Sequence, residues 1–436
     1  MRGGSRRAAA RPLAVAGALA ALLAAGTAPA SLAAAPAAPA TVRPPGTPWT
    51  LVNALASPPA VSWSGPPLVI VDSPEDLTGP LLRSAPGGLR ASHLLYADGP
   101  PRLSGTVWLL VYVKNALAST GVRIVLTVAP RGAARVRYAR GASAHVGPNG
   151  LDAGAGAAAA MFAPRALGFG PAQTVAAGGR VQVAWTVPPG QVLAAWWPVD
   201  VTTSAGAPAP FALDVWEAPA AGALPAAPPS ALLPAGTSGV VRTTVPHAFG
   251  RIDWTVPAAG SWALDLDNDA PTPAGGPGGD VCPPWVCVSG EVALPPGSAL
   301  TAAADPLPGE IQGGVDAVDA PGRAPAAAVA RTGGALLRTG NYGDYGTIMT
   351  VRLRAPAGRV VYAALVPGFD HAIPWAGDTA AGGRTAYWHL PPTSPPLGTG
   401  YLVASGAAGA VVRSTVTAGA YAPWRLVAWT EPARPG

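Results

Sequence analysis

Apolar and polar positions along this chain alternate in short runs, each broken by glycine or proline. In VRIVLTV, Val122, Ile124, Leu126 and Val128 fall on one face, and Arg123, Val125 and Thr127 on the other. A period of two marks a half-buried strand. Runs of this kind, rich in β-branched and aromatic residues, predict strands over residues 68–72, 92–97, 105–113, 122–128, 181–187 and 211–217. A second series is predicted over 251–256, 261–266, 286–294, 347–354, 360–365, 385–390, 410–416 and 424–430. Residues 151–162, LDAGAGAAAAMF, depart from the pattern: their alanines favour a helix, and Asp152 can cap its first turn. Many short strands between Gly/Pro turns imply an all-β fold, read as two tandem β-sandwich-like domains with one short helix.

The first thirty residues read differently. Arg2, Arg6, Arg7 and Arg11 precede an apolar run over 12–25, PLAVAGALAALLAA, too short to span a bilayer comfortably. A positive start, a short apolar core and small residues after it predict a signal peptide over 1–30, and hence a secreted or cell-surface protein. Cleavage can follow Ala28-Pro29-Ala30 or Ala38-Pro39-Ala40, and retention as an anchor stays open. Arg6-Arg7 leaves both the general and the twin-arginine export routes open. Residues 31–60 are Ala/Pro-rich and read as an extended tether. The two strand series then define a first β-sandwich domain over 61–218, a Pro/Ala linker over 219–236 and a second domain over 237–436.

Composition changes this picture in two ways. Only 11% of residues are charged, against about 25% in ordinary domains. The net charge of +6 includes the four arginines of residues 1–30, where no acid stands, leaving +2 for the rest. Lys114 is the only lysine, and no basic cluster remains to line a phosphate backbone, which argues against nucleic acid as a partner. The 14 Trp are spread along the chain, as in a folded protein rather than a disordered one. Trp108, Trp185, Trp216, Trp254, Trp262, Trp388, Trp424 and Trp429 fall at strand centres or ends and are expected to fill cores. A row of them exposed on one face would instead make a platform for a polysaccharide.

Six stretches carry a resemblance. SHLLYADG (92–99), GTVWLLVYVKNAL (105–117) and GPNGLDAG (147–154) occur in that order, followed by TTVPHAFGRIDW (243–254), LPGEIQGG (307–314) and TGNYGDYGTIMTVRL (339–353). The chain thereby resembles uncharacterised secreted β-rich proteins of Gram-positive bacteria. Some of these carry a copper amine oxidase-like N-terminal stalk domain, which is not apparent here. The resemblance implies an envelope-associated or secreted β protein and no particular reaction.

Catalytic signatures are sparse. Thr339, Asn341 and Tyr342 begin like the motif in which copper amine oxidases mature a tyrosine, but Gly343 intrudes before Asp344. The five histidines, His93, His145, His247, His371 and His389, form neither the H-x-H that copper needs there nor a zinc H-E-x-x-H. No G-x-S-x-G elbow is present. A glycosidase needs two placed carboxylates; Glu is confined to positions 75, 217, 291, 310 and 431, while Asp is commoner.

Three local features are candidate sites. Cys282 and Cys287, in CPPWVC, are expected to form a disulfide in an exported protein, with Trp285 at the loop tip as a contact residue. Asp265, Asp267 and Asp269 alternate in LDLDNDA and could offer three oxygens to a calcium ion, without the glycine and glutamate of an EF-hand. The expectation is therefore a non-catalytic secreted or cell-envelope protein with a structural or binding role. A carbohydrate-binding module and a polysaccharide-acting hydrolase are the alternatives. Its partners are expected to be extracellular or cell-wall polysaccharide or another envelope protein, with no membrane span beyond the signal.

Overall fold

The computed structural model describes residues 41–42, 53–54, 61–97, 103–140, 142–148, 150–162, 168–233, 241–245, 247–259, 261–265, 329–332, 335–338, 346–367, 375–382, 384–390, 400–415 and 424–433. In chain order the strands are β1 (Thr41–Val42), β2 (Asn53–Ala54), β3 (Val61–Ser64), β4 (Leu68–Leu77), β5 (His93–Ala97), β6 (Leu103–Asn115), β7 (Val122–Pro130), β8 (Ala134–Tyr138) and β9 (Ser143–Gly147). There follow β10 (Gln173–Val175), β11 (Val181–Val187), β12 (Val192–Trp196), β13 (Val199–Thr202), β14 (Pro210–Pro219), β15 (Val241–Val245), β16 (Phe249–Thr255) and β17 (Ser261–Asp265). The last are β18 (Val329–Thr332), β19 (Ala335–Arg338), β20 (Ile348–Arg354), β21 (Arg359–Pro367), β22 (Trp375–Ala381), β23 (Arg384–Leu390), β24 (Gly400–Gly406), β25 (Ala410–Thr415) and β26 (Trp424–Pro432). The fold is all-β in class, built of sandwich-like sheets. Among the described residues two α-helices interrupt it where one was expected: α1 (Gly79–Ser84) and α2 (Gly150–Phe162). The shorter, α1, starts where Thr78 Oγ1 accepts the Leu81 N–H at 3.3 Å, with proline in its first turn.

The long strand β6 organises the first half. Val107, Leu109, Val111 and Val113 face one core, together with Val122, Ile124, Leu126 and Val128 of β7 and Phe211, Leu213 and Val215 of β14. The alternation read from VRIVLTV thus does set one face of β7. The opposite face of β6 is covered as well. Leu110 and Tyr112 meet Leu68 and Ile70 of β4 and Ala153 and Ala157 of α2 in a second core. A strand buried on both faces loses its alternation, which is why WLLVYV reads as a continuous apolar run. At the end of β6 the buried Asn115 side chain donates to the Thr120 and Val187 carbonyls, each at 2.9 Å, and accepts from the Leu117 N–H at 3.1 Å. It thereby closes the turn into β7 with no buried polar atom left over.

The described residues of the second half form a sandwich of two six-stranded sheets, ordered β1-β24-β21-β26-β17-β2 and β23-β22-β25-β20-β16-β3. Ile252, Trp254, Met349, Val351, Leu353 and Val412 of one sheet pack on Val361, Ala363, Leu365, Leu426 and Ala428 of the other. Strands on either side of residues 219–236 interleave: β3 pairs with β16, and β15 pairs with β4. Part of 219–236 is itself ordered along β5, where Leu94 N–H donates to Ala231 O and Leu233 N–H to Leu94 O.

Helix α2 lies between the two halves, touching β9 and β12 on one side and β22 and β23 on the other. Its alanines are buried nearly all round, as a helix clasped between two sheets must be. Small residues make the fit possible. A Cβ on Gly156 would stand 2.4 Å from Nδ1 of the His145 ring, so only glycine lets helix and sheet approach this closely.

Candidate functional site

A cleft of about 330 Å³ opens beside the C-terminal end of α2, where the outer faces of the two halves meet. Trp108 of β6 and Met161 and Phe162 of α2 line it from below. The Trp108 ring stands edge-to-face with Trp196 at 6.3 Å and with Phe249 at 5.2 Å, which fixes it in place. Phe249 and Ile348, the first residues of β16 and β20, close one side. Their position is held by backbone bonds from Ala248 N–H to Pro66 O at 2.9 Å and from Ile348 N–H to Ala248 O at 3.0 Å. Gly65 makes the turn before Pro66 with φ +87°, and a Cβ there would come within 2.3 Å of the Phe249 ring. Phe169 reaches the opposite side because residues 168–170 lie against 138–140, through Arg140 N–H to Gly168 O and Gly170 N–H to Tyr138 O, both 2.9 Å.

The polar groups come as cross-strand pairs. Asp378 of β22 and Arg413 of β25 sit directly opposite each other in the ladder. Arg413 Nε donates to Asp378 Oδ1 at 2.8 Å, and its Nη2 to Oδ2. Both residues, with Tyr387 of β23, line the cleft. The carboxylate hydrogen bond holds the Arg413 pKa above its ordinary value, so the group stays a cation. On the other half, Asp200 of β13 faces both Thr106 of β6 and Arg137 of β8. Asp200 accepts from Thr106 Oγ1 at 2.9 Å and from Arg137 Nε and Nη2 at 3.0 and 2.5 Å. The Arg137 guanidinium carbon lies 5.3 Å from the centre of the Phe169 ring, a cation–π contact behind the cleft wall.

A third cross-strand pair is sealed away from any surface. His93 of β5 and Glu217 of β14 are partners across the ladder, beside a bulge that leaves Leu95 unpaired. His93 Nδ1 and Glu217 Oε1 are 2.5 Å apart, and His93 Nε2 donates to Pro86 O at 2.9 Å. A carbonyl only accepts, so Nε2 carries one proton and the short contact holds a second. The Glu217 hydrogen bond raises the His93 pKa, and burial raises that of Glu217; together they retain the shared proton. With side chains 0% and 3% exposed, the pair is not part of that cleft and ties β5 and β14 to the turn after α1.

The aromatics divide accordingly. Trp216, Trp254 and Trp429 are buried core residues, and Trp216 Nε1 donates to Thr127 Oγ1 at 2.9 Å. Trp108, Trp185 and Trp262 are half-buried, while the side chains of Trp388 and Trp424 lie outside the described residues. Cys282, Trp285, Cys287, Asp267 and Asp269 also lie outside them; Asp265 is described by its backbone alone, ending β17 opposite Arg425 of β26. Residues 1–40, 286–294, 307–314 and 339–345 fall outside as well. Among the described residues, no three His, Cys, Asp or Glu side chains gather around a metal position, and no helix is long and apolar enough to cross a membrane. The two Asp–Arg pairs were not singled out from the sequence, where each is one acid and one base in separate strands, legible only once register is known. No family model matches this chain, and no curated protein matches it.

Proposed function

We propose that the protein is a non-catalytic, secreted or envelope-associated binding protein, and that the cleft between its halves is the ligand site. The observation that carries this reading is the cleft itself: a recess lined by Trp108, Phe162, Phe169, Phe249 and Tyr387, with one ordered Asp378–Arg413 pair at its wall. Binding sites are typically concave, mostly apolar and fitted with a few placed polar groups. The volume of about 330 Å³ stands near the lower end of the roughly 300–1,000 Å³ usual for small-molecule pockets. It suits a compact ligand or a chain end rather than a long polymer. The carboxylate that lines the cleft, Asp378, is engaged through both oxygens by Arg413, and among the described lining residues no second carboxylate stands with it for paired acid–base work. The positively charged, then apolar, first residues support export.

A carbohydrate ligand is favoured by the aromatic lining, since a pyranose offers an apolar ring face and polar edges. The test is calorimetric titration of the purified full chain against mono- and oligosaccharides and small ring compounds. Ala139→Phe, which fills the recess from a lining position, serves as the control. Binding that this substitution abolishes supports the reading. Binding that survives it places the site elsewhere, and a blank panel removes the cleft as a ligand site.

A further inference from the structure

The two Asp–Arg pairs beside the cleft share an asymmetry. The Arg413 side chain is 36% exposed and that of Asp378 3%; for Arg137 and Asp200 the values are 39% and 8%. In each pair the acid is buried in the sheet and the base faces outward. Of the two bases, Arg413 lines the cleft, so the recess meets the positive end of one fixed dipole, while Arg137 stands behind the wall against Phe169. Bidentate pairing also fixes which donors stay free. Nε and Nη2 of Arg413 are committed to Asp378, and Nη1 has no acceptor among the described residues. Guanidinium cannot accept a hydrogen bond or lose its proton near neutrality. The cleft thus offers an oriented, donor-only cation beside the apolar surfaces of Trp108, Phe249 and Ile348.

We infer that the cleft takes a compact ligand bearing a carboxylate, its ring or apolar body against Trp108, Phe249 and Ile348 and its carboxylate on Nη1 of Arg413. An ionised acceptor makes a bond about twice as strong as a neutral one, and apolar walls strengthen it further. An amide in the same place would turn a donor group toward donors. The inference rests on the cleft being the binding site. The carboxylate can come from a free organic acid or from a uronate unit of an acidic polysaccharide.

The experiment is calorimetry of the full chain with two matched pairs of probes: phenylacetate against phenylacetamide, and glucuronate against glucose. At least one acid is expected to bind about tenfold or more tightly than its neutral counterpart. A preference in the phenylacetate pair identifies a free organic acid as the ligand type, and one confined to glucuronate identifies the uronate. The preference should vanish in the double variant Arg413→Gln/Asp378→Asn. That variant removes both charges together and leaves no unpaired buried carboxylate; a thermal melt by circular dichroism verifies that it folds. Equal binding of acid and neutral probe overturns the inference and leaves the cleft reading standing. A preference that persists in the double variant overturns the assignment to Arg413. If no probe binds, the cleft reading falls with it.

Discussion

Two pairs of opposite charge, built on the same plan, behave as opposites in this molecule. His93–Glu217 and Arg413–Asp378 are both direct partners across an antiparallel ladder. In the first, both side chains are sealed, and every polar atom with a partner finds it inside the protein. In the second, the acid is sealed and the base is more than a third exposed. A sealed pair can only hold strands together. A pair with its base outward can hold strands together and meet something else. The difference in exposure, rather than the presence of charge, separates the structural pair from the candidate site.

The largest effect is expected where the comparison is sharpest. Glu217→Ala leaves His93 buried beside a vacated partner, and breaking a buried pair from one side costs about 3–5 kcal/mol. Urea denaturation should show that loss, while the fraction still folded binds any cleft ligand as before. A loss within the range of an exposed pair, about 1 kcal/mol or less, would remove the distinction drawn between the two pairs.

Arg413→Gln comes next. It strands the buried Asp378 carboxylate, and an unsatisfied buried group costs about 1–3 kcal/mol. The double variant with Asp378→Asn should recover part of that loss without recovering ligand preference. If single and double variants were equally stable, Asp378 would not depend on Arg413, and the fixed orientation of the guanidinium would lose its basis.

How much of this was legible in the chain follows from burial and register. Strands with one wet face announced themselves: 181–187 has the bounds expected from its alternation. β12 and β13 did not: VLAAW is apolar and buried at every position and carries no period of two, while VDVT alternates but over only four residues, all of them buried. Helix α2 was readable from its alanines, though not that two sheets would clasp it. Helix α1 carried a signal that went unused, Thr78 followed by Pro80. The cleft was the least legible feature. Its residues come from β6, α2, β16, β20, β22, β23 and β25 and from the connections at residues 66, 139, 168–169 and 198, and no spacing in sequence relates them. Trp108, Phe249 and Ile348 fall within 105–117, 243–254 and 339–353, stretches far apart in the chain that meet at one place.

Gly65 probes the cleft wall from its backbone. Gly65→Ala places a Cβ at positive φ and against the Phe249 ring. The left-handed conformation alone costs about 1–2 kcal/mol. Because Phe249 must move, ligand affinity should fall along with stability, whereas a substitution at Gly358, with φ +72° and open space around it, should reduce stability only. Equal affinity in both variants would show that the cleft does not need the Phe249 edge.

The smallest effects concern pH, and they set two histidines of the first half against each other. Glu217 raises the His93 pKa, so the folded protein holds that proton more tightly than the unfolded chain does. Its contribution to stability is complete below the ordinary histidine value of about 6.5 and is lost as pH rises through the raised one. His145 lies under α2 with no such partner among the described residues, and burial lowers its pKa. Its contribution is present above about 6.5 and is lost as pH falls toward the lowered value. Equilibrium denaturation followed from about pH 5 to about pH 9, the range over which histidines titrate, should give stability that declines on both sides. His145→Gln should flatten the acid limb alone, because Gln does not charge when buried beneath Gly156. Should the acid limb persist unchanged in that variant, carboxylates rather than His145 set it, and the clasp of α2 on its sheet is not what proton uptake opposes.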